Sequence, residues 1–307
     1  MTADATTQAA FVLAIDHRNS LRRWYTAMTG ADRADGAALR AGKTAVADGL
    51  LAAIADPRFA GQPMLLIDEE YGTDAIGRIR EAGAGVKIIV PAERSGEKEF
   101  SFEHGRGFGE QISKTGPDIV KALVRYNPAG DGSRNGRSRA RLLYLARWLD
   151  DHGLPLMLEL LVPPEPDQAG PSFDATVRPG LTLRAIAELR AAGLSPAWWK
   201  VEGQASTAAF AELAAATHGG RCLVLGRGED ADAVGRWVAM AAAAPGFDGF
   251  AIGRTIWADA LGEWLIRSGR SGRSGRTGRT GRGQAVANIA ARYLGFVETY
   301  LAALAAR

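Results

Sequence analysis

Eight short apolar runs recur along this chain, and nearly all of them end in polar or glycine-rich residues followed by a helical pattern. The runs are 11–15, 64–67, 86–90, 119–126, 156–161, 195–203, 222–226 and 247–253. They are continuously apolar rather than alternating, as parallel strands covered on both faces should be. Helical spacing is readable at 36–55, 73–82, 108–114, 138–152, 181–192, 207–216, 230–244 and 284–305. Strand and helix alternating eight times predict an α/β protein, a single-domain (β/α)8 (TIM) barrel over residues 11–307. A doubly wound open sheet is the competing arrangement, and the count of eight favours closure. Residues 1–10 read as a disordered tail, and Thr73 as the cap of the second helix.

A chain of 307 residues with 47% apolar content suits one such domain. It holds no apolar run long enough to span a membrane, and its first residues show no secretory pattern. The single cysteine, Cys222, excludes an internal disulfide and any multi-cysteine metal site. A cytoplasmic protein is the natural expectation. The basic balance has a local origin. Arginine recurs every third residue from Arg267 to Arg282, and removing those six takes the formal charge from +3 to −3. This low-complexity stretch, 267–283, is expected to be a flexible insertion rather than a specific nucleic-acid site, although a polyanion-binding role stays open.

Barrel sites form at the C-terminal ends of the strands. Three charges stand inside apolar runs there: Lys121 on the fourth, Glu159 on the fifth and Lys200 on the sixth, within Ser195–Gly203. With period 2, Trp198, Lys200 and Glu202 share one face and Trp199 and Val201 the other. Lys200 would then point into the barrel, as an ion-pair partner or a nucleophile. Asp16 ends the first run, Asp68–Glu70 end the second, and Arg125 stands at the end of the fourth. The turns Gly226–Arg227–Gly228 and Gly253–Arg254 suit a phosphate, since glycine admits backbone N–H groups and arginine supplies a forked donor. Loop glycines beside solvated arginines would read the same way. Gly36–Thr44 looks like a phosphate loop but has the wrong spacing and lies inside a helical pattern. The four histidines are scattered and suggest no zinc site.

The segments AIDHRNS (14–20), LLIDEEYG (65–72), ERSGEKEFSFEHG (93–105), VKALVRYNPAGDG (120–132), ELLVP (159–163), WWKVEG (198–203) and FAIGRTIW (250–257) together resemble the class I (Schiff-base) ketose-phosphate aldolases. That family includes tagatose 1,6-bisphosphate aldolase and sulfofructose phosphate aldolase. The chain is most similar to the aldolase-like domain fused to 5-dehydro-2-deoxygluconokinase in myo-inositol catabolism, without the kinase half. The resemblance covers nearly all of residues 11–265. It implies that Lys200 forms the Schiff base, that Glu159 transfers protons beside it, and that Asp16 and Lys121 complete the polar site. It also implies a phosphate near Gly226 and Arg254, no cofactor, no metal, and a phosphorylated sugar as ligand. Arg227 stands where the bisphosphate aldolases carry smaller residues. Lys200 would need a lowered pKa to attack at neutral pH, which Trp198, Trp199 and the charge of Lys121 are expected to supply. A non-catalytic sugar-phosphate binder on the same barrel is the alternative, and homo-oligomerisation stays open.

Overall fold

The computed structural model describes residues 8–271 and 276–307. Eight parallel strands pair in sequence order and close on themselves: β1 (Ala10–Ile15), β2 (Gln62–Ile67), β3 (Lys87–Pro91), β4 (Ile119–Arg125), β5 (Leu156–Leu161), β6 (Trp198–Val201), β7 (Arg221–Leu225) and β8 (Phe247–Ile252). Around them, among the described residues, run α1 (Asn19–Thr29), α2 (Gly36–Ile54), α3 (Glu69–Ala82), α4 (Phe108–Thr115), α5 (Gly132–Asp151), α6 (Arg178–Ala191), α7 (Thr207–Ala216), α8 (Ala231–Ala243), α9 (Arg254–Ser271) and α10 (Arg276–Ala305). The chain is thus a single-domain (β/α)8 barrel, and none of the described helices is long and apolar enough to cross a membrane.

The strands bury both faces, which is why they read as unbroken apolar runs. Val12, Ala14, Leu66, Ile89, Met157, Trp198, Leu223 and Ala251 belong to an apolar cluster of alternate strand residues inside the barrel, and their neighbours join the larger layer under the helices. Closure of β8 on β1 depends on Gly249, whose φ is +150°. A Cβ there would stand 1.8 Å from the Ala10 carbonyl oxygen, so only glycine fits. The seam is braced from outside by α10. Its Tyr293 hydroxyl donates to the Phe11 carbonyl (2.8 Å) and its Tyr300 hydroxyl to the Phe247 carbonyl (2.9 Å).

Four features differ from the sequence reading. Helix α1 was not anticipated, because its charged segment hides a stripe of Leu21, Trp24, Tyr25 and Met28. The cap of α3 is Asp68, whose side chain accepts from the Tyr71 N–H, not Thr73, which bonds back to the Glu69 carbonyl. Of the tail expected over 1–10, the Gln8 carbonyl accepts from Arg221 and Ala10 opens β1, so residues 8–10 are part of the fold; residues 1–7 lie outside the described residues. The insertion expected over 267–283 is helical where it is described, as α9 runs to Ser271 and α10 starts at Arg276. Arginine is a good helix former, and two packed helices extend into the segment from either side; residues 272–275 lie outside the described residues.

Candidate active site

Side-chain parity positions the centre. Ile119 and Met157 face the barrel interior, so Lys121 and Glu159, two residues further along, do as well. Trp198 and Lys200 follow the same rule on β6. Glu159 and Lys200 are register partners across β5 and β6, whereas Lys121 pairs with Met157 one layer lower. The long Lys121 side chain makes up that difference.

The result is a chain of buried charges. Lys200 Nζ lies 2.9 Å from Glu159 Oε2, and Lys121 Nζ lies 2.8 Å from the same oxygen. Lys121 also donates to Asp16 Oδ2 and to Glu93 Oε1, both at 2.8 Å. Both lysines, Glu93 and Glu159 are buried, with Lys200 5% exposed and Lys121 1%, and Asp16 is largely covered. Desolvation alone would neutralise such groups; their mutual pairing decides otherwise. Burial works against the Lys121 ammonium, yet Asp16, Glu159 and Glu93 outweigh it and hold its pKa well above the ordinary value. Burial also opposes ionisation of Glu159, and Lys121 with Lys200 overcomes this and keeps the carboxyl below its usual range. Glu93 behaves differently: burial pushes it up despite Lys121 and Arg18. His17, next to Asp16, is pushed down to about 4 by burial, with Arg254, Lys43 and Lys200 adding to the effect and Asp16 opposing it, so it is neutral at pH 7.

The cluster forms the floor of a cavity of about 410 Å³ at the C-terminal end of the barrel. Of the strand-end residues singled out in the sequence, Asp16, Lys121, Arg125, Glu159, Lys200, Gly226, Arg227, Gly228, Gly253 and Arg254 line it, whereas Asp68, Glu69 and Glu70 do not. The turn after β7 is left-handed at two successive residues, Arg227 (φ +50°) and Gly228 (φ +79°). The Arg254 guanidinium lies so close to Gly228 that a Cβ would meet it at 2.6 Å, and its Nη2 donates to the Arg227 carbonyl (3.0 Å). Arg227 itself is engaged by acids, with Nη1 2.9 Å from Asp174 and Nε 3.4 Å from Glu202. Among the described residues Arg254 has no carboxylate within ion-pair distance, so the two turns present one neutralised and one available guanidinium. Arg125 donates to the Glu97 carbonyl on the cavity wall (2.8 Å).

One sequence reading is corrected, and Glu202 stands as the ion-pair residue expected of it. Trp199 faces the helices, completely buried in the outer layer, and so does not enclose Lys200; of the tryptophan pair only Trp198 faces inward. Glu202 is an ion-pair residue: it accepts from the Val162 N–H (3.0 Å) and lies 3.7 Å from Arg178. Two members of the site were missed. Glu93 continues the inward parity of Ile89 and Pro91 past the end of β3, in a loop dense in other acids. Arg18 donates to the Glu93 carbonyl (2.6 Å) and pairs with Glu103 (2.8 Å), fixing the loop that carries Glu93.

The Asp16 carboxyl is opposed by burial but stabilised more strongly by Lys121 and Lys200, and stays well below the usual carboxylate range. Because its folded pKa lies under the unfolded value of about 3.9, its contribution is complete above that pH and is lost as pH falls through the folded value. Asp16→Asn should therefore cost roughly 3 kcal/mol at pH 7, the low end for breaking a buried pair, since Glu93 and Glu159 still hold Lys121. In urea unfolding the gap from wild type should narrow below about pH 4. A gap independent of pH would contradict this assignment.

A parallel eight-stranded barrel with a lysine-carboxylate cluster under an arginine-bearing rim is the class of molecule that the fold and site define. Residues 1–302 match the family described as an uncharacterized protein conserved in bacteria (DUF2090), and the chain belongs to that family. Among solved structures it is similar to Cgl0159 from Corynebacterium glutamicum, at 18% identity and a TM-score of 0.57, covering 97% of this chain and 88% of that one. It is also similar to fructose-bisphosphate aldolase from Plasmodium falciparum, crystallised with TRAP and a small-molecule inhibitor, at 13% identity and a TM-score of 0.62, covering 96% of both chains. At these identities the likeness is one of fold. Comparison with curated protein sequences gives no match.

Proposed function

We propose that this barrel is a class I aldolase that cleaves a phosphorylated ketose, or a deoxy-keto sugar acid phosphate, through a Schiff base on Lys200. One observation carries the reading: the Lys200 amine stands 2.9 Å from a carboxylate that Lys121 also holds, at the floor of a cavity with room for a sugar phosphate. The aldolase neighbour in fold and the motif resemblance agree with it.

Lys200 gives up its proton to Glu159 and adds to the C2 ketone. Loss of water, with the proton returned by Glu159, leaves an iminium. A base, Glu159 directly or through water, takes the proton of the C4 hydroxyl. The C3–C4 bond breaks, its electron pair passes to the iminium as an enamine, and an aldehyde leaves. Protonation at C3 and hydrolysis release dihydroxyacetone phosphate and restore the amine. Asp16, fixed on Lys121, orients substrate hydroxyls. Arg254 with the backbone at Gly226, Gly228 and Gly253 takes the phosphate, while Arg227 and Arg125 contact the rest of the chain. The ligand is a small phosphorylated sugar, and a place in inositol breakdown fits one of the substrates below.

Three ketose phosphates, whose aldehyde products are malonate semialdehyde, glyceraldehyde 3-phosphate and sulfolactaldehyde, should be assayed in EDTA for release of dihydroxyacetone phosphate. Turnover of one of them, unaffected by the chelator, is the expected result. Tight binding without turnover would assign a silent sugar-phosphate binder instead.

A further inference from the structure

Lys43 belongs to the phosphate-loop look-alike Gly36–Thr44, which lies at the start of α2, and the aldolase chemistry makes no use of it. Its side chain is completely buried. Nζ donates to the Ile15 carbonyl (2.6 Å) and to the His17 carbonyl (3.1 Å), the two backbone oxygens that flank Asp16. Its third partner is the Asp68 carboxylate, also completely buried. Asp68 uses its other oxygen on the Tyr71 N–H (3.0 Å), at the start of α3. An ammonium has three N–H donors, and all three are spent here.

A buried ion pair is weak evidence for stability, because packed apolar groups of similar size often do as well or better. What a hydrophobic pair could not do is grip two carbonyls. Those carbonyls stand where β1 ends and the chain turns toward α1, so fixing both leaves little freedom for the peptide units that carry Asp16. The Asp16 side chain must meet Lys121 at 2.8 Å from that backbone, while His17 Nδ1 lies 3.9 Å from its other oxygen.

We propose that Lys43 is a positioning residue for the reaction, clamping the backbone on both sides of Asp16 so that its carboxylate stays on Lys121 and faces the substrate. Lys43 touches no substrate, and the assignment rests on the aldolase reading above. The ion pair with Asp68 serves to keep the ammonium buried, and the two carbonyl contacts do the positioning.

Two variants separate these roles. Lys43→Met/Asp68→Leu removes both charges together and is expected to stay folded. It should still trap dihydroxyacetone phosphate on Lys200 under borohydride, since Glu159 and Lys200 are untouched. Its kcat for cleavage should fall tenfold to about 10²-fold with little change in KM, the scale of a misplaced functional group. Asp68→Asn keeps Lys43 on its carbonyls, so it should lose thermal stability and keep kcat. Wild-type kcat in the double variant overturns the proposal, as does a kcat in Asp68→Asn that falls in step with stability. Should the double variant fail to fold, Asp68→Asn decides by the same criterion. If the wild-type protein itself neither traps nor cleaves, the aldolase reading is what has failed, and the positioning role falls with it.

Discussion

Exchanging Lys200 for methionine should abolish ketose phosphate cleavage, by on the order of 10⁵-fold or more, the scale on which loss of a covalent nucleophile is felt. Methionine approximates the shape of the lysine stem but offers no amine to add to a ketone. The fold should survive, because Glu159 keeps its contact with Lys121 at 2.8 Å and no buried carboxylate is left alone. An unchanged thermal unfolding midpoint together with vanished turnover is therefore the expected pair of measurements. Cleavage that persists in the variant would mean that the amine is not the nucleophile, whatever its position.

The second large effect is expected at Glu159→Gln. Glutamine preserves size and one acceptor oxygen but cannot carry a proton between Lys200 and the substrate. General acid-base groups contribute about 10²–10⁴-fold, and a loss in kcat within that range is the expected result. Lys121 would still be held by Asp16 and Glu93, whereas Lys200 would lose the one carboxylate within ion-pair distance of it among the described residues. Stopped-flow measurement locates the defect. If Glu159 serves imine formation, the approach to the trapped adduct slows as well as the cleavage step. A variant that retains kcat to within tenfold would reassign Glu159 to holding the two lysines in place.

The barrel and the core of its site were legible because burial leaves a contrast in the sequence. A charge inside an apolar run is conspicuous, so Lys121, Glu159 and Lys200 stand out on neighbouring strands, and period 2 aims Lys200 inward. Glu93 offers no such contrast. It lies beyond the end of β3 among other acids, where one more carboxylate carries no signal unless the strand parity is extended past Pro91. Lys43 is hidden for another reason. A lysine in a helix is ordinarily solvated, and only the packing of α2 behind β1 and β2 puts this one against the carbonyls around Asp16. Arg227 illustrates the limit set by long-range pairing. Its glycine-flanked turn suggests an anion site, yet Asp174, from the segment that follows β5, reaches its guanidinium first. Trp198 and Trp199 were read as a unit although alternation sends them to opposite sides of the strand.

The account comes down to whether the Lys200 amine bonds to the substrate carbon. Incubating the protein with dihydroxyacetone phosphate and borohydride, then mapping the mass increase by peptide analysis, measures that bond directly. The predicted result is one reduced adduct on the peptide that carries Lys200, absent from the Lys200→Met protein and formed equally well in EDTA. An adduct on Lys121, or cleavage without any adduct, would contradict it.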